Sequence, residues 1–146
     1  MLARLIASGF GSGLSRWAPG TMGSAVAAVL AVPLLLLSPW ALVAALAASC
    51  VAGWWAIPRA GGDHDPGWVV IDEFAGQFLT LLVLPAPGWG GIALGFVLFR
   101  IFDIVKPGPI DAVQRLPGAT GVMADDLLAG LAAGACLFAL RLVLPI

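Results

Sequence analysis

The chain has 146 residues, of which 61% are hydrophobic and 10% are charged, and its mean hydropathy is +1.04. Seven basic and eight acidic side chains cannot cover the surface of a soluble domain of this length, so the composition predicts a single integral membrane domain over residues 1–146. The formal net charge of -1 leaves no basic surface for a phosphate backbone and excludes a nucleic-acid partner.

The first polar segment of the chain is GFGSGLSRWAPGTMGS, residues 9–24. It interrupts the apolar character early, so no core of a secretory signal is expected. Backbone amides in a Gly-rich loop that leads into a helix can form an anion site. The segment lacks the Lys-Ser/Thr ending of a nucleotide-binding P-loop, and a plain turn at the membrane interface is an equal alternative.

Five apolar stretches follow in chain order, at residues 24–37, 40–57, 71–84, 90–102 and 127–146. Several are shorter than the ~20 residues that cross ~30 Å of hydrocarbon, so some are expected to be tilted or half-inserted. The prediction is an all-α, polytopic bundle of about four to five hydrophobic helices. Cys50 and Cys136 lie inside these stretches and are predicted to be apolar packing residues rather than a disulfide or metal ligands.

The loops between these stretches differ in charge. The breaks at 38–40 and 85–91 are short and uncharged, whereas 58–70 and 103–126 are longer and charged. If the stretches alternate from a cytoplasmic N-terminus, all eight acids and six of the seven bases lie on the inner side, with Arg141 alone near the outer end. This distribution follows the positive-inside rule. Glycine pairs at GxxxG spacing, such as Gly130 and Gly134, predict close helix packing within the chain and leave dimerisation open.

Five carboxylates fall at the predicted inner ends of the helices: Asp72, Glu73, Asp103, Asp125 and Asp126. A charge at membrane depth costs about 2.5 to 3.5 kcal/mol on insertion scales, and neighbouring anions repel one another. A cation is therefore expected among them. Hard oxygen ligands suit Mg²⁺ and, less specifically, Mn²⁺ or Ca²⁺.

A simpler alternative assigns each acid to its own helix. Asp125 and Asp126 would then interact with the N-terminal dipole of the last helix, and Asp103 would pair with Arg100 or Lys106, three residues away on either side. The same two cations are suited to grip a phosphate. Pro107 is expected to stop that helix after Lys106.

The scarcity of histidine limits the phosphatase mechanisms that the chain can use. His64 is the only histidine, and one histidine cannot supply both nucleophile and acid in a two-histidine lipid phosphatase. A lone loop histidine is more often exposed or structural than catalytic. The remaining mechanism is catalysis by carboxylates together with a metal ion.

Four motifs in this order, GFGSGLSxxAPGTMGS, DHDPGxVVIDEF, FRIFDIVKPxPI and GVMADDLLAG, cover residues 9 to about 134. Together they resemble the bacterial phosphatidylglycerophosphatase A family. The resemblance implies a Mg²⁺-dependent, multi-pass helical enzyme of the inner membrane. Such an enzyme removes the terminal phosphate of phosphatidylglycerophosphate at the cytoplasmic face. The KPWPI often seen in the family reads KPGPI here, with Gly108 in place of Trp.

The resemblance also implies the site residues. The five carboxylates become metal ligands, with one of them acting as base for water. The catalytic set is Asp72, Glu73, Asp103, Lys106 and Asp126, and the phosphate-binding set is Thr21, Ser24, Arg100 and Lys106. A direct aspartyl nucleophile stays open.

Three other functions compete with this one. A CDP-alcohol phosphotransferase is disfavoured because its DGxxAR and GxxxDxxxD spacing does not occur. A small cation transporter would need acids near the membrane midplane, whereas these lie at one boundary. If the protein were a purely structural subunit, loss of the carboxylates would leave every lipid activity unchanged.

Overall fold

A computed structural model describes residues 1–144, so the last two residues of the fifth predicted stretch lie outside the described part. The described residues form helices and no β-strand, which confirms the all-α prediction. The elements are α1 (Leu2–Ala7), a 3₁₀ segment (Gly9–Leu14), α2 (Pro19–Leu37), α3 (Pro39–Arg59), α4 (Ile71–Leu81), α5 (Trp89–Val105), α6 (Pro109–Val113) and α7 (Ala119–Arg141).

Three helices are long and apolar enough to cross a membrane: α2, α3 and α7, with 19, 21 and 23 residues. The chain is therefore a membrane protein. The 11 residues of α4 and 17 of α5 rise about 16 and 25 Å at ~1.5 Å per residue, less than the ~30 Å hydrocarbon core. The predicted total of four to five membrane helices stays a prediction.

Local chemistry sets several helix ends. Proline occupies the first position of α2 and α3, where its missing N–H leaves no helical bond unmade. Ser38 caps α3 by accepting a 3.1 Å hydrogen bond from the Trp40 N–H. At the end of α5, Lys106 adopts a left-handed conformation (φ 46°), and Pro107 follows. The predicted stop of this helix is confirmed.

Helix α4 is the centre of the bundle and packs against α2, α3, α5 and α7. Nine of its eleven residues are buried. It crosses α7 closely, since a Cβ added to Gly130 would contact the Gly76 backbone. The Thr80 hydroxyl donates to the Gly130 carbonyl at 3.2 Å and to that of Gly76 at 2.9 Å. Intramolecular packing through Gly130 is thereby confirmed.

The last helix corrects one sequence prediction. Helix α7 begins at Ala119 rather than near residue 127, because residues 119–124 contain no proline and continue the helix although they form no long apolar run. Asp125 and Asp126 therefore lie about two turns inside it, beyond the reach of the N-terminal dipole, and their assignment to that dipole is wrong. At the far end, Arg141 donates to the Val83 carbonyl, which satisfies this isolated cation.

Candidate active site

Two helices bring three carboxylates together. Asp72 and Glu73 lie in the first turn of α4, and Asp126 reaches them from α7. One oxygen of each lies within 4.8 Å of the other two. Asp72 is 5% exposed and Asp126 is 3% exposed, so little water screens the repulsion between them. We call these three residues the carboxylate cluster.

The cluster fits a metal ion on its own chemistry. Asp72 Oδ1, Glu73 Oε2 and Asp126 Oδ2 are buried and have no hydrogen-bond partner. A buried acceptor left unpaired costs about 1 to 3 kcal/mol, and more when it is charged. A cation between the carboxylates would satisfy these oxygens and remove the repulsion. The donors are all oxygens, which suits a hard divalent ion rather than a thiophilic one.

The other two predicted metal ligands, Asp103 and Asp125, form ion pairs with basic side chains. Asp103 forms an ion pair with Arg100, and Asp125 forms one with Lys106. The Lys106 Nζ also lies 4.0 Å from Asp103 Oδ1. Arg100 of the first pair also lies near Glu73 of the cluster, and Asp125 of the second pair directly precedes Asp126 in α7, so both pairs adjoin the cluster. The pairing of Asp103 with Arg100 or Lys106, given above as the simpler alternative, is therefore present, while a role of Asp103 as metal ligand stays a prediction.

Arg100 joins three helices. Its Nη1 lies 3.9 Å from Glu73 Oε1 on α4 and donates to Ser24 Oγ on α2 at 3.3 Å. Ser24 is fully buried, and its hydroxyl donates to the Gly20 carbonyl at 2.7 Å. Ser24 therefore holds Arg100 in position, while direct binding of phosphate by Ser24 stays a prediction. Thr21 lines a groove beside Arg100.

Lys106 lies just beyond the end of α5 and is half-buried. Burial acts to lower its pKa, but the hydrogen bond to Asp125 and the charges of Asp125, Asp126 and Asp103 outweigh burial and raise the pKa above its ordinary value. The side chain therefore carries its positive charge throughout the physiological pH range.

The Gly-rich segment packs against the chain that precedes α4. The N–H groups of Gly11 and Gly13 both donate to the Ser8 carbonyl, so neither amide is free for an anion. A Cβ on Gly13 would contact the Trp68 carbonyl, and one on Gly23 would lie 2.7 Å from Val70 Cβ. Over residues 9–14 the structure therefore supports the alternative of a turn.

Gln77 was missed in the sequence. It is fully buried, and neither its Nε2 nor its Oε1 has a hydrogen-bond partner. It follows Glu73 by four residues on α4, which places both on one helix face. A polar amide in an otherwise apolar run was the available signal.

A polar cleft of about 380 Å³ lies on the loop side of the site. Asp125 forms part of its wall, together with His64 and Asp65 from the loop before α4 and Arg115 from the loop after α6. His64 is exposed on this wall, in keeping with the expectation of an exposed or structural residue. The cleft gives water a route to Asp125.

Gly20 was also missed, and it yields a prediction. A Cβ there would contact Glu73 Oε1 and lie 3.3 Å from Arg100 Nη1. We expect Gly20→Ala to lower the catalytic efficiency of the chain roughly tenfold or more and to lower its thermal stability, because the added Cβ displaces the buried Glu73 from its position beside Arg100. Gly88→Ala, where a Cβ meets nothing within 4 Å, is the matched control. Equal activity of both variants would contradict the placement of Glu73.

The fold and the site together define a small polytopic membrane protein with buried carboxylates and paired cations at one end of its bundle. Residues 5–141 match the family described as Phosphatidylglycerophosphatase A, and the chain belongs to this family, which confirms the resemblance of the motifs. No solved structure matches the chain significantly.

Three curated bacterial proteins are similar to the chain. Phosphatidylglycerophosphatase A of Escherichia coli K12 is 42% identical over 139 residues, which is 92% of this chain and 80% of the relative. Its namesake from Haemophilus influenzae Rd is 40% identical over 142 residues, covering 94% and 87%. A Bacteroides thetaiotaomicron protein provisionally named phosphatidylinositol-3-phosphatase is 41% identical over 136 residues, covering 86% and 85%.

Proposed function

We propose that the chain hydrolyses phosphatidylglycerophosphate to phosphatidylglycerol and inorganic phosphate. The family membership and the names of two relatives support this substrate. The observation that carries the chemistry is the buried carboxylate cluster with unpaired oxygens, beside two cations, in a helical membrane protein. Water attacks the terminal phosphorus, the P–O bond to the glycerol breaks, and the glycerol oxygen takes up a proton.

The cluster of Asp72, Glu73 and Asp126 would hold Mg²⁺. When bound, Mg²⁺ would neutralise phosphate oxygens and make a bound water more acidic. Mg²⁺ is chosen over Mn²⁺ and Ca²⁺ because it pairs with few carboxylates and substrate phosphates rather than with a complete protein cage. One of the catalytic carboxylates takes the proton of the attacking water, and an aspartyl nucleophile stays an alternative.

The flanking ion pairs would bind the phosphate. Arg100 offers a planar fork and Lys106 a point charge, and phosphoryl transfer depends mainly on such positioning and charge stabilisation. Asp103 and Asp125, predicted as metal ligands, would hold these two cations in place and lie at the edge of the metal site. Thr21 would add a hydroxyl beside Arg100.

We place the protein in the bacterial inner membrane as one domain, with this site toward the cytoplasm. This placement is supported by the positive-inside rule. In the topology predicted from the sequence, every Lys and Arg except Arg141 lies on the cytoplasmic side of the membrane. The carboxylates lie at one end of the bundle rather than at its middle, which disfavours a cation path through the membrane.

The test is phosphate release by the detergent-purified chain from phosphatidylglycerophosphate, with the lipid product identified by mass. Phosphatidylinositol 3-phosphate serves as the competing substrate because a relative bears that name. We expect the glycerophosphate head group to give the higher kcat/KM and phosphatidylglycerol as product. A higher kcat/KM for the inositide would replace the proposed substrate, and no release from either lipid would overturn the phosphatase.

A further inference from the structure

We infer that the groove between α2 and α5 binds an acyl chain of the phospholipid substrate and delivers its phosphate sideways from the membrane to Arg100. This groove has a volume of about 390 Å³, and Thr21, Phe96, Val97, Arg100, Ile101 and Ile104 line it. The inference rests on the proposed function, since it needs a lipid with a phosphate on its head group.

The groove has an apolar wall that faces lipid. Val97, Ile101 and Ile104 lie on one side of α5, and they are 49%, 50% and 68% exposed. Phe96 and Val97 precede Arg100 by about one helical turn of α5 and so lie farther than Arg100 from the end of α5 that carries Asp103. An acyl chain placed over them continues into the hydrocarbon, where the rest of the lipid resides.

The groove also has one cationic position, and that position belongs to the active site. Arg100 lines the groove and at the same time contacts Glu73 and pairs with Asp103. Its Nε is buried without a partner. A phosphate at this position would meet Arg100 and the Thr21 hydroxyl and would lie next to the carboxylate cluster. The groove thus leads along an almost wholly apolar wall to Arg100, which also contacts the reaction centre, so an acyl chain bound in it would bring the attached phosphate beside Arg100.

Two other apolar clefts of similar size provide the contrast. One of about 350 Å³ lies between α4 and α7, and one of about 470 Å³ lies among α5, α6 and α7. Neither is lined by a charged side chain in the part of the chain that the structure describes. Ordinary membrane lipid can fill such clefts, but they present nothing to a phosphate.

The test fills the groove and measures dioleoyl phosphatidylglycerophosphate hydrolysis in mixed micelles. We expect Val97→Trp to raise KM at least about tenfold by displacing several methylenes, with kcat within about twofold of the unmodified chain. Ile101→Trp, on the same wall, repeats the test should Val97→Trp fail to fold, as judged by its unfolding temperature. Ala135→Trp is the matched control, because Ala135 is exposed and lines both uncharged clefts.

A KM that is unchanged in the folded Val97→Trp and Ile101→Trp variants would assign the groove to bulk lipid or to a second copy of the chain and overturn the inference. An equal rise in Ala135→Trp would overturn it too, because any lipid-facing Trp would then act alike. Absence of phosphate release from the unmodified chain would instead overturn the proposed function, and the acyl-chain site with it.

Discussion

Asp126→Asn is expected to lower kcat/KM for phosphatidylglycerophosphate by roughly 10³-fold, the range seen when a group that stabilises transition-state charge is lost. The substitution keeps the volume of the side chain and removes one of three clustered negative charges. Asp126 is buried, so solvent does not compensate for the loss of its negative charge. Initial rates of phosphate release over a range of lipid concentrations measure the effect.

The unfolding temperature of Asp126→Asn shows whether Asp126 has a functional or a structural role. Without a cation, the carboxylates of the unmodified chain repel one another, so in EDTA Asp126→Asn should unfold at a higher temperature. Added Mg²⁺ should stabilise the unmodified chain and have little effect on the variant. Asp111→Asn is the control, since Asp111 on α6 pairs with the exposed Arg115 of the following loop, and it should keep full activity. Loss of both stability and activity in Asp126→Asn, independent of Mg²⁺, would mark Asp126 as structural.

Arg100→Ala is expected to lower kcat/KM by roughly 10²-fold to 10³-fold. It removes a positive charge from the phosphate site and leaves the buried Asp103 with only the more distant Lys106 as a partner; complete loss of the partner in a buried ion pair costs about 3 to 5 kcal/mol, so a smaller loss of stability is expected. Kinetics and thermal unfolding in the same detergent measure the two losses separately.

Arg100→Lys distinguishes geometry from charge. Lysine keeps the charge but lacks the planar guanidinium, whose Nη1 contacts Glu73, Asp103 and Ser24 and whose other nitrogens can contact a phosphate, so activity should still fall about tenfold or more. Arg59→Lys is the control, because Arg59 is exposed and stacks on Trp55. Activity of Arg100→Lys within twofold of the unmodified chain would show that position 100 needs only a positive charge.

Much of the site could be predicted from the sequence because charges are scarce in this chain. Each acid in an apolar run is costly in a membrane, so Asp72 and Glu73 stood out without any fold. The Asp103 ion pair followed from helix spacing, and the end of α5 followed from Pro107. These features depend on residues that are close together along the chain, so the sequence alone is enough to predict them.

The division of the five carboxylates into a cluster and two ion pairs could not be predicted. It depends on the depth at which α7 crosses α4, which the contact between Gly76 and Gly130 sets. The start of α7 differs from the predicted one because Thr120, Gly121 and the two aspartates interrupt any apolar run in its first two turns. Gln77 and Gly20 matter through contacts between helices, and the spacing of residues along one helix does not reveal them.

We expect the carboxylate cluster to bind the Mg²⁺ that the reaction needs. The most direct measurement is phosphate release from phosphatidylglycerophosphate as a function of free Mg²⁺, with EDTA as zero, for the unmodified chain and Asp72→Asn. We expect no release in EDTA, saturable activation by Mg²⁺ in the unmodified chain, and loss of that activation in Asp72→Asn. Equal release in EDTA and Mg²⁺, or the same Mg²⁺ dependence in Asp72→Asn, would contradict this expectation.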